Sequence, residues 1–359
     1  MARLHGFTKQ QVLDVYHTMV LARKLDDKMM TMLKQGKAFF HMGCSGHEAA
    51  QLAAANVIKG GEDWSYPYYR DGAYCLGLGM TAKEQLLSFL ARDADPNSGG
   101  RQMPMHYGHK ALRVVSQSSP TGTQFLQAVG CALTRKMEKS REIIYVSAGE
   151  GTTSQGDFHE ALNWASRAKA PIIFHIEDNE YAISTHRSDQ TAGSVYSMVN
   201  GYKNLSRYDV DGTNFFETNL AFKQAAERAR RGKGPTVIIS NVVRLVPHSS
   251  SDDQRKYRTP EALEQDQKQD PIHILENECL EEKFFTENDI EKINNEVKTH
   301  VDQDAEWAER QDHPAIENAL THVYSANGHT VETDFVPIAE KIVLVDAINH
   351  ALHEEMEYN

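Results

Sequence analysis

Two short motifs, with 29 residues from Glu150 to Asn179, constrain this chain more than any other feature. The first is Gly149-Glu150-Gly151 and the second Asp178-Asn179-Glu180-Tyr181. Between them lie a helical pattern over Phe158 to Lys169 and an apolar run from Pro171 to Ile176, and a β-branched run from Glu142 to Ser147 precedes them. That order predicts strand, helix, strand, with one motif just past each strand. The length suits a single βαβ crossover. Parallel strands of a right-handed βαβ unit end on the same sheet edge, where open α/β sheets bind ligands. Glu150 and Asn179 are therefore expected to face one site. Magnesium prefers about six oxygens and takes few of them from protein carboxylates. The Glu150 carboxylate, the Asn179 amide oxygen and the Tyr181 carbonyl could supply three, with a diphosphate and water supplying the rest. Gly149 and Gly151 would let backbone N–H groups approach a phosphate closely. A strand-end turn followed by an Asx turn is the plainer reading of the same residues.

The surrounding pattern extends the sheet. Thr123 to Glu138 and Leu220 to Arg231 read as helices, and Thr236 to Ser240 as a third strand continuing into Val242-Val243. Alternation of strands and helices predicts an α/β fold, a parallel sheet covered by helices on both faces. Thr8 is a candidate N-cap for a helix reaching about Lys34, with Val12, Tyr16, Met19, Val20 and Leu25 at helical spacing. An alanine-rich helix is expected within Gly43 to Ile58, and another over Thr81 to Arg92. Glu62 to Arg70 reads as an aromatic loop, and Asp93 to Gly108 as a long polar one, a length that in compact domains usually signals function or disorder. Residues 260–325 look helical and charged. Residues 326–340 read as a polar linker, and 341–359 as the truncated opening helix of another domain.

Composition closes off other classes. The formal charge is −12 with no long basic stretch, so nucleic acid is not an expected partner. No apolar run is long enough to span a membrane, and the first residues lack the apolar region of a secretory signal. Cys44, Cys75, Cys131 and Cys279 are widely spaced with no CxxC, which suits free thiols in a reducing cytoplasm. His106 and His109 flank Tyr107-Gly108, a loop spacing, and no HExxH motif occurs.

The run Gly149-Glu150-Gly151-Thr152-Thr153-Ser154-Gln155-Gly156-Asp157 with Asn179-Glu180-Tyr181-Ala182-Ile183-Ser184-Thr185 resembles the thiamine diphosphate fingerprint. More narrowly, residues 8–325 resemble the α subunit of the decarboxylating component of 2-oxo acid dehydrogenase complexes. Gly100-Arg101-Gln102-Met103-Pro104 and Pro247-His248-Ser249-Ser250-Ser251-Asp252-Asp253 look most like the branched-chain type. The carboxyl end resembles the first helix of the β subunit, which implies a fused α–β polypeptide. The resemblance implies the thiamine diphosphate-binding fold and oxidative decarboxylation of branched-chain 2-oxo acids, 2-oxoisovalerate and its relatives. It also implies acyl transfer to a lipoyl group on a separate acyltransferase. Pyruvate and acetoin enzymes share most of the fingerprint. A non-catalytic scaffold keeping the fold and its β contacts is an alternative of another class.

Site roles follow from the same resemblance. Glu150, Asn179 and the Tyr181 carbonyl match magnesium ligands. Tyr69 and Arg70 match a pair that binds the diphosphate, as an arginine fork suits phosphate oxygens, and Gly149, Gly151, Thr152 and Arg244 belong to the same cofactor set. Ser119 and Thr121 match positions lining the aminopyrimidine. Ser118, Pro120, Thr123 and Gln124 match a potassium site, with a plain helix N-terminal turn as the equal alternative. His248 matches a histidine near diphosphate and substrate, expected to be catalytic, and Phe40 a side chain of the acyl pocket. The family's proton-driving glutamate lies in the β subunit, so this chain would hold the diphosphate half of the site and be inactive alone. Two departures stand out. Asp178-Asn179-Glu180 replaces a frequent Asn-Asn-Gly, and Glu177 replaces an arginine of the branched-chain branch. Acids at 177 and 178 would repel a diphosphate unless turned away or paired.

Overall fold

The computed structural model describes residues 3–321, 323 and 342–358. It divides into two compact units, Met1–Ala315 and Ile316–Asn359. In the first unit, helix α1 (Lys9–Lys34) begins at Thr8, whose hydroxyl and the Gln11 side chain form a capping box. Its buried stripe includes Val12, Tyr16, Met19, Val20 and Leu25. Helix α2 (Glu48–Ala55) starts well inside the Gly43 to Ile58 stretch expected to hold it. Gly46 delays it: its φ is +100°, and a Cβ there would meet the Val243 carbonyl oxygen at 2.1 Å. Strand β1 (Trp64–Tyr66) then leads to α3 (Gly72–Gly77) and α4 (Ala82–Phe89), the latter capped by Thr81 with Glu84.

The expected βαβ unit follows. Helix α5 (Thr123–Met137) precedes β2 (Ile144–Gly149), a 3-10 turn (Glu150–Ser154), α6 (Gly156–Ala168) and β3 (Ile172–Asp178). A hairpin of β4 (Tyr181–Ala182) and β5 (Thr185–His186) leads into α7 (Arg187–Gln190) and α8 (Val195–Met198). Next come β6 (Ser206–Asp211), α9 (Phe215–Arg230) and β7 (Thr236–Asn241). Three helices complete the unit: α10 (Pro260–Lys268), α11 (Pro271–Glu281) and α12 (Glu287–Glu309). In the second unit, α13 spans Leu344–Tyr358. The expected linker, 326–340, lies outside the described residues.

The five main strands are parallel, in the order β1-β2-β3-β7-β6. Successive side chains on a strand point to opposite faces, and two apolar cores result. Tyr145, Ile173 and Ile238 join α1, α2, α4 and α9 in one core. Ile144, Val146, Phe174, Ile176, Val237 and Ile239 join α5 and α6 in the other. Burial on both faces explains why β2, β3 and β7 read as continuous apolar runs.

Both outer strands escape that pattern. Trp64–Tyr66, expected as an aromatic loop, pairs with β2 from Trp64 opposite Ile144 to Tyr66 opposite Val146. Strand β6 is mostly polar, with only Val210 buried. An edge strand pairs on one side only, so fewer of its residues must be apolar.

Arg23 ties α1 to two other helices. It donates to Glu48 at 2.7 Å and, through both terminal nitrogens, to Asp270 at 2.8 and 3.1 Å. Glu48 and Asp270 are almost fully buried. Arg23→Ala leaves two buried carboxylates unpaired, so a loss of about 3–5 kcal/mol in urea unfolding is expected. A loss below about 1 kcal/mol would show that water or neighbouring groups replace the guanidinium.

Candidate functional site

Strand β2 ends at Gly149 and β3 at Asp178, so Glu150 and Asn179 emerge side by side on one sheet edge. The Asn179 N–H donates to Glu150 Oε2 at 3.4 Å. Around them opens a cleft of about 270 Å³. Of the expected residues it gathers Tyr69, Arg70, Thr121, Gly149, Glu150, Gly151, Thr152, Asn179, Tyr181 and His248. Tyr68, Ala182 and Ile183 line it as well, though nothing local in the chain marks them for it.

Glu150 is buried, and its Oε1 has no hydrogen-bond partner. Burial, with the Asp178 charge behind it, pushes this carboxyl up to about 7. An orphaned buried carboxylate oxygen beside an amide and the Tyr181 carbonyl suits a small hard cation. Among the described residues no group of three or more His, Cys, Asp or Glu could hold a metal. This set has one acid only, so a cation here would need oxygens from a ligand, as magnesium shared with a diphosphate does.

Arg70 is fully buried. Its Nη1 donates to the Gly43 carbonyl at 2.6 Å, whereas Nη2 makes only long contacts with His248, 3.3 Å to the carbonyl and 3.4 Å to Nδ1. One edge of the guanidinium is thus anchored and the other loosely held at the cleft. Burial and the Arg70 and Arg244 charges hold His248 down to about 4, so its imidazole is neutral at pH 7. The His248 loop is tied by Asp252, which accepts from the His248 N–H at 2.9 Å and from Tyr257.

Arg244 stands behind the cleft. It donates to the Ile183 carbonyl at 3.1 Å and lies 3.5 Å from the Tyr181 carbonyl. Gly151 is needed for packing, since a Cβ there would meet the Ala182 Cβ at 2.6 Å. Gly149 has no such neighbour; its nearest contact would be at 3.9 Å.

The remaining expected residues lie apart from the cleft lining. Ser119 pairs with His106 Nε2 at 2.6 Å. Thr123 donates to the Pro120 carbonyl at 3.0 Å, Gln124 donates to the Ser147 carbonyl at 3.1 Å, and Ser118 is half-buried at the same turn. Phe40 is half-buried between α1 and α2.

Both awkward acids are paired. Glu177 Oε2 accepts from His47 at 2.6 Å, Gln51 at 2.9 Å and Tyr68 at 3.1 Å. Asp178 accepts from Arg187 at 3.0 Å and from the Glu180 N–H at 3.0 Å. Neither lines the cleft. Glu180, where glycine is frequent in the resembling family, has φ +69°, the left-handed region that glycine enters without strain. Arg187 pairs with its carboxylate at 3.0 Å.

Residues 16–317 match the family described as dehydrogenase E1 component. The chain belongs to that family. E1 components of this kind depend on thiamine diphosphate and work with a β subunit and a lipoyl acyltransferase. Over 322 residues the chain is 43% identical to the 2-oxoisovalerate dehydrogenase subunit alpha of Bacillus subtilis, covering 89% of this chain and 97% of that one. It is 30% identical to the mitochondrial 2-oxoisovalerate dehydrogenase subunit alpha of Dictyostelium discoideum, covering 89% and 72%. Identity to the pyruvate dehydrogenase E1 component subunit alpha of Staphylococcus aureus is 31%, covering 85% and 80%. For an E1 component, the cleft at the ends of β2 and β3 has the residues a diphosphate cofactor needs. His47 and Gln51 behind it went unread in the sequence, because nothing local links them to residue 177.

Proposed function

We propose that this chain is the α part of a branched-chain 2-oxo acid dehydrogenase E1 component, acting on 2-oxoisovalerate and related acids. The observation that carries the reading is the convergence of Glu150, Asn179, Tyr181, Arg70 and His248 on one cleft. Substrate choice is supported by the higher identity to the 2-oxoisovalerate relative of Bacillus subtilis than to the pyruvate relative.

Thiamine diphosphate, when bound, supplies the electron sink for decarboxylation. Glu150, Asn179 and the Tyr181 carbonyl would hold magnesium. Tyr69, Arg70, Gly149, Gly151 and Thr152 would hold the diphosphate, with Arg244 fixing the hairpin behind it. Ser119 and Thr121 would line the aminopyrimidine and Phe40 the acyl pocket. His248, kept neutral between two cations, would face the substrate as a hydrogen-bonding group. Potassium at Ser118, Pro120, Thr123 and Gln124 is part of the proposal, supported by an oxygen-rich turn ahead of α5. The activating glutamate would come from the β part.

Residues 1–325 would form the α-type domain, 326–340 a linker and 341–359 the start of a β-type domain. The spacing of Leu344, Ile348, Leu352 and Met356 gives α13 an apolar stripe of the kind a domain helix needs. A cytoplasmic setting is supported by four free cysteines. No helix among the described residues is long and apolar enough to cross a membrane.

A substrate panel with an artificial electron acceptor, run with the β partner present, tests the reading. Each extra methylene in an apolar pocket is worth roughly 10–200-fold in kcat/KM. 2-Oxoisovalerate carries two more carbons than pyruvate, so its value is expected to exceed that for pyruvate by at least that factor. Equal values, or a preference for pyruvate, would overturn the branched-chain assignment.

A further inference from the structure

His47 occupies the N-cap position of α2, fully buried, yet makes no side-chain cap bond. Its ring reaches the ends of the sheet instead. Nδ1 lies 2.6 Å from Glu177 Oε2, and Nε2 lies 3.2 Å from the Asn179 amide nitrogen. An amide nitrogen can only donate, so Nε2 accepts and the ring proton sits on Nδ1. Glu177 demands that same tautomer, because a carboxylate can only accept.

The consequence falls on Asn179. Its amide has one oxygen and one nitrogen of nearly equal size, and only the oxygen can meet a cation. A flipped amide would turn its oxygen to Nε2 and require a proton there. Nδ1 would then present a lone pair to Glu177 Oε2 at 2.6 Å, which is repulsive. The flipped form would also lose the bond from the Tyr181 N–H to Asn179 Oδ1, 3.2 Å. Gln51 and Tyr68, both donating to Glu177 Oε2, keep that carboxylate in place.

We infer that His47 and Glu177 are positioning residues that fix the side-chain amide of Asn179 so that its oxygen, and not its nitrogen, is offered to the metal. The inference rests on the proposed magnesium set and adds a role for Glu177, the acid that departs from the resembling branch. Glu177 acts from behind the cleft, through a histidine.

The test is a magnesium titration of the whole chain at fixed, saturating thiamine diphosphate, read as the rise in melting temperature. Loss of such a supporting contact typically weakens metal binding by about 10–100-fold. His47→Leu is expected to raise the half-maximal magnesium concentration by that factor. His47→Gln puts an amide oxygen near the place of Nε2 and is expected to return to within about threefold of wild type. Glu177→Gln can donate to Nδ1, which permits the other tautomer and the flip; about a tenfold rise is expected, and this isosteric variant carries the test should His47→Leu not fold. In an Asn179→Asp background, where both ends of the side chain are oxygens, the His47→Leu penalty should nearly vanish. An unchanged half-maximal concentration in the folded variants, or a penalty that persists undiminished in that background, would overturn the inference. A wild-type chain that ignores magnesium and thiamine diphosphate would instead bring down the metal reading beneath it.

Discussion

Glu150→Ala is expected to abolish the stabilisation that magnesium and thiamine diphosphate together give the wild-type chain. A ligand that binds only the folded state at about a hundred times its Kd adds about 2.7 kcal/mol. Among the described residues, Glu150 is the only carboxylate lining the cleft. Without it, the Asn179 oxygen and the Tyr181 carbonyl are neutral donors, too weak to hold a divalent cation against water. The apo chain should tolerate the change, because Glu150 Oε1 is a buried acceptor without a partner. Its removal ends an unfavourable desolvation as well as leaving space. The expected signature is therefore specific: little change in melting temperature without cofactor, and none of the wild-type rise with it. Equal responses from variant and wild type would show that the cofactor, if bound, is held elsewhere.

The second large effect is loss of turnover when the β partner is withheld. Activating the cofactor needs an acid or base at its aminopyrimidine end, and the titratable groups at the cleft do not supply one. Glu150 would be committed to the metal. His248 is held down to about 4 between Arg70 and Arg244, which makes it a poor base. Among the described residues, the other titratable side chains lining the cleft are Arg70 and the phenols of Tyr68, Tyr69 and Tyr181. Positioned acid–base groups are worth about 10²–10⁴-fold. Decarboxylation of 2-oxoisovalerate by the chain alone, followed with an artificial electron acceptor, should fall by at least that factor below the assembled enzyme. Full turnover by the isolated chain would place the activating acid within it.

The two acids show where local pattern stops being informative. In sequence, Glu177 and Asp178 flank a diphosphate motif and look repulsive. In the fold, β3 alternates its side chains, and the two leave the strand end in different directions. Glu177 meets His47, Gln51 and Tyr68, which lie 130, 126 and 109 residues away. Asp178 meets Arg187 on the hairpin side. The Glu177 pairings leave no local trace.

Local pattern was enough for the βαβ unit, the sheet edge on which the site forms, and the meeting of Glu150 with Asn179. Those depend on short-range periodicity and on the handedness of one crossover. Only the packed fold reveals Trp64–Tyr66 and Ser206–Asp211 as strands, because an edge strand needs little apolar patterning. Packing also brought Arg70 and His248 to the cleft, and set Arg244 behind its hairpin and His47 behind Asn179. Such contacts are made by side chains far apart along the chain, whose meeting depends on how helices pack over the sheet.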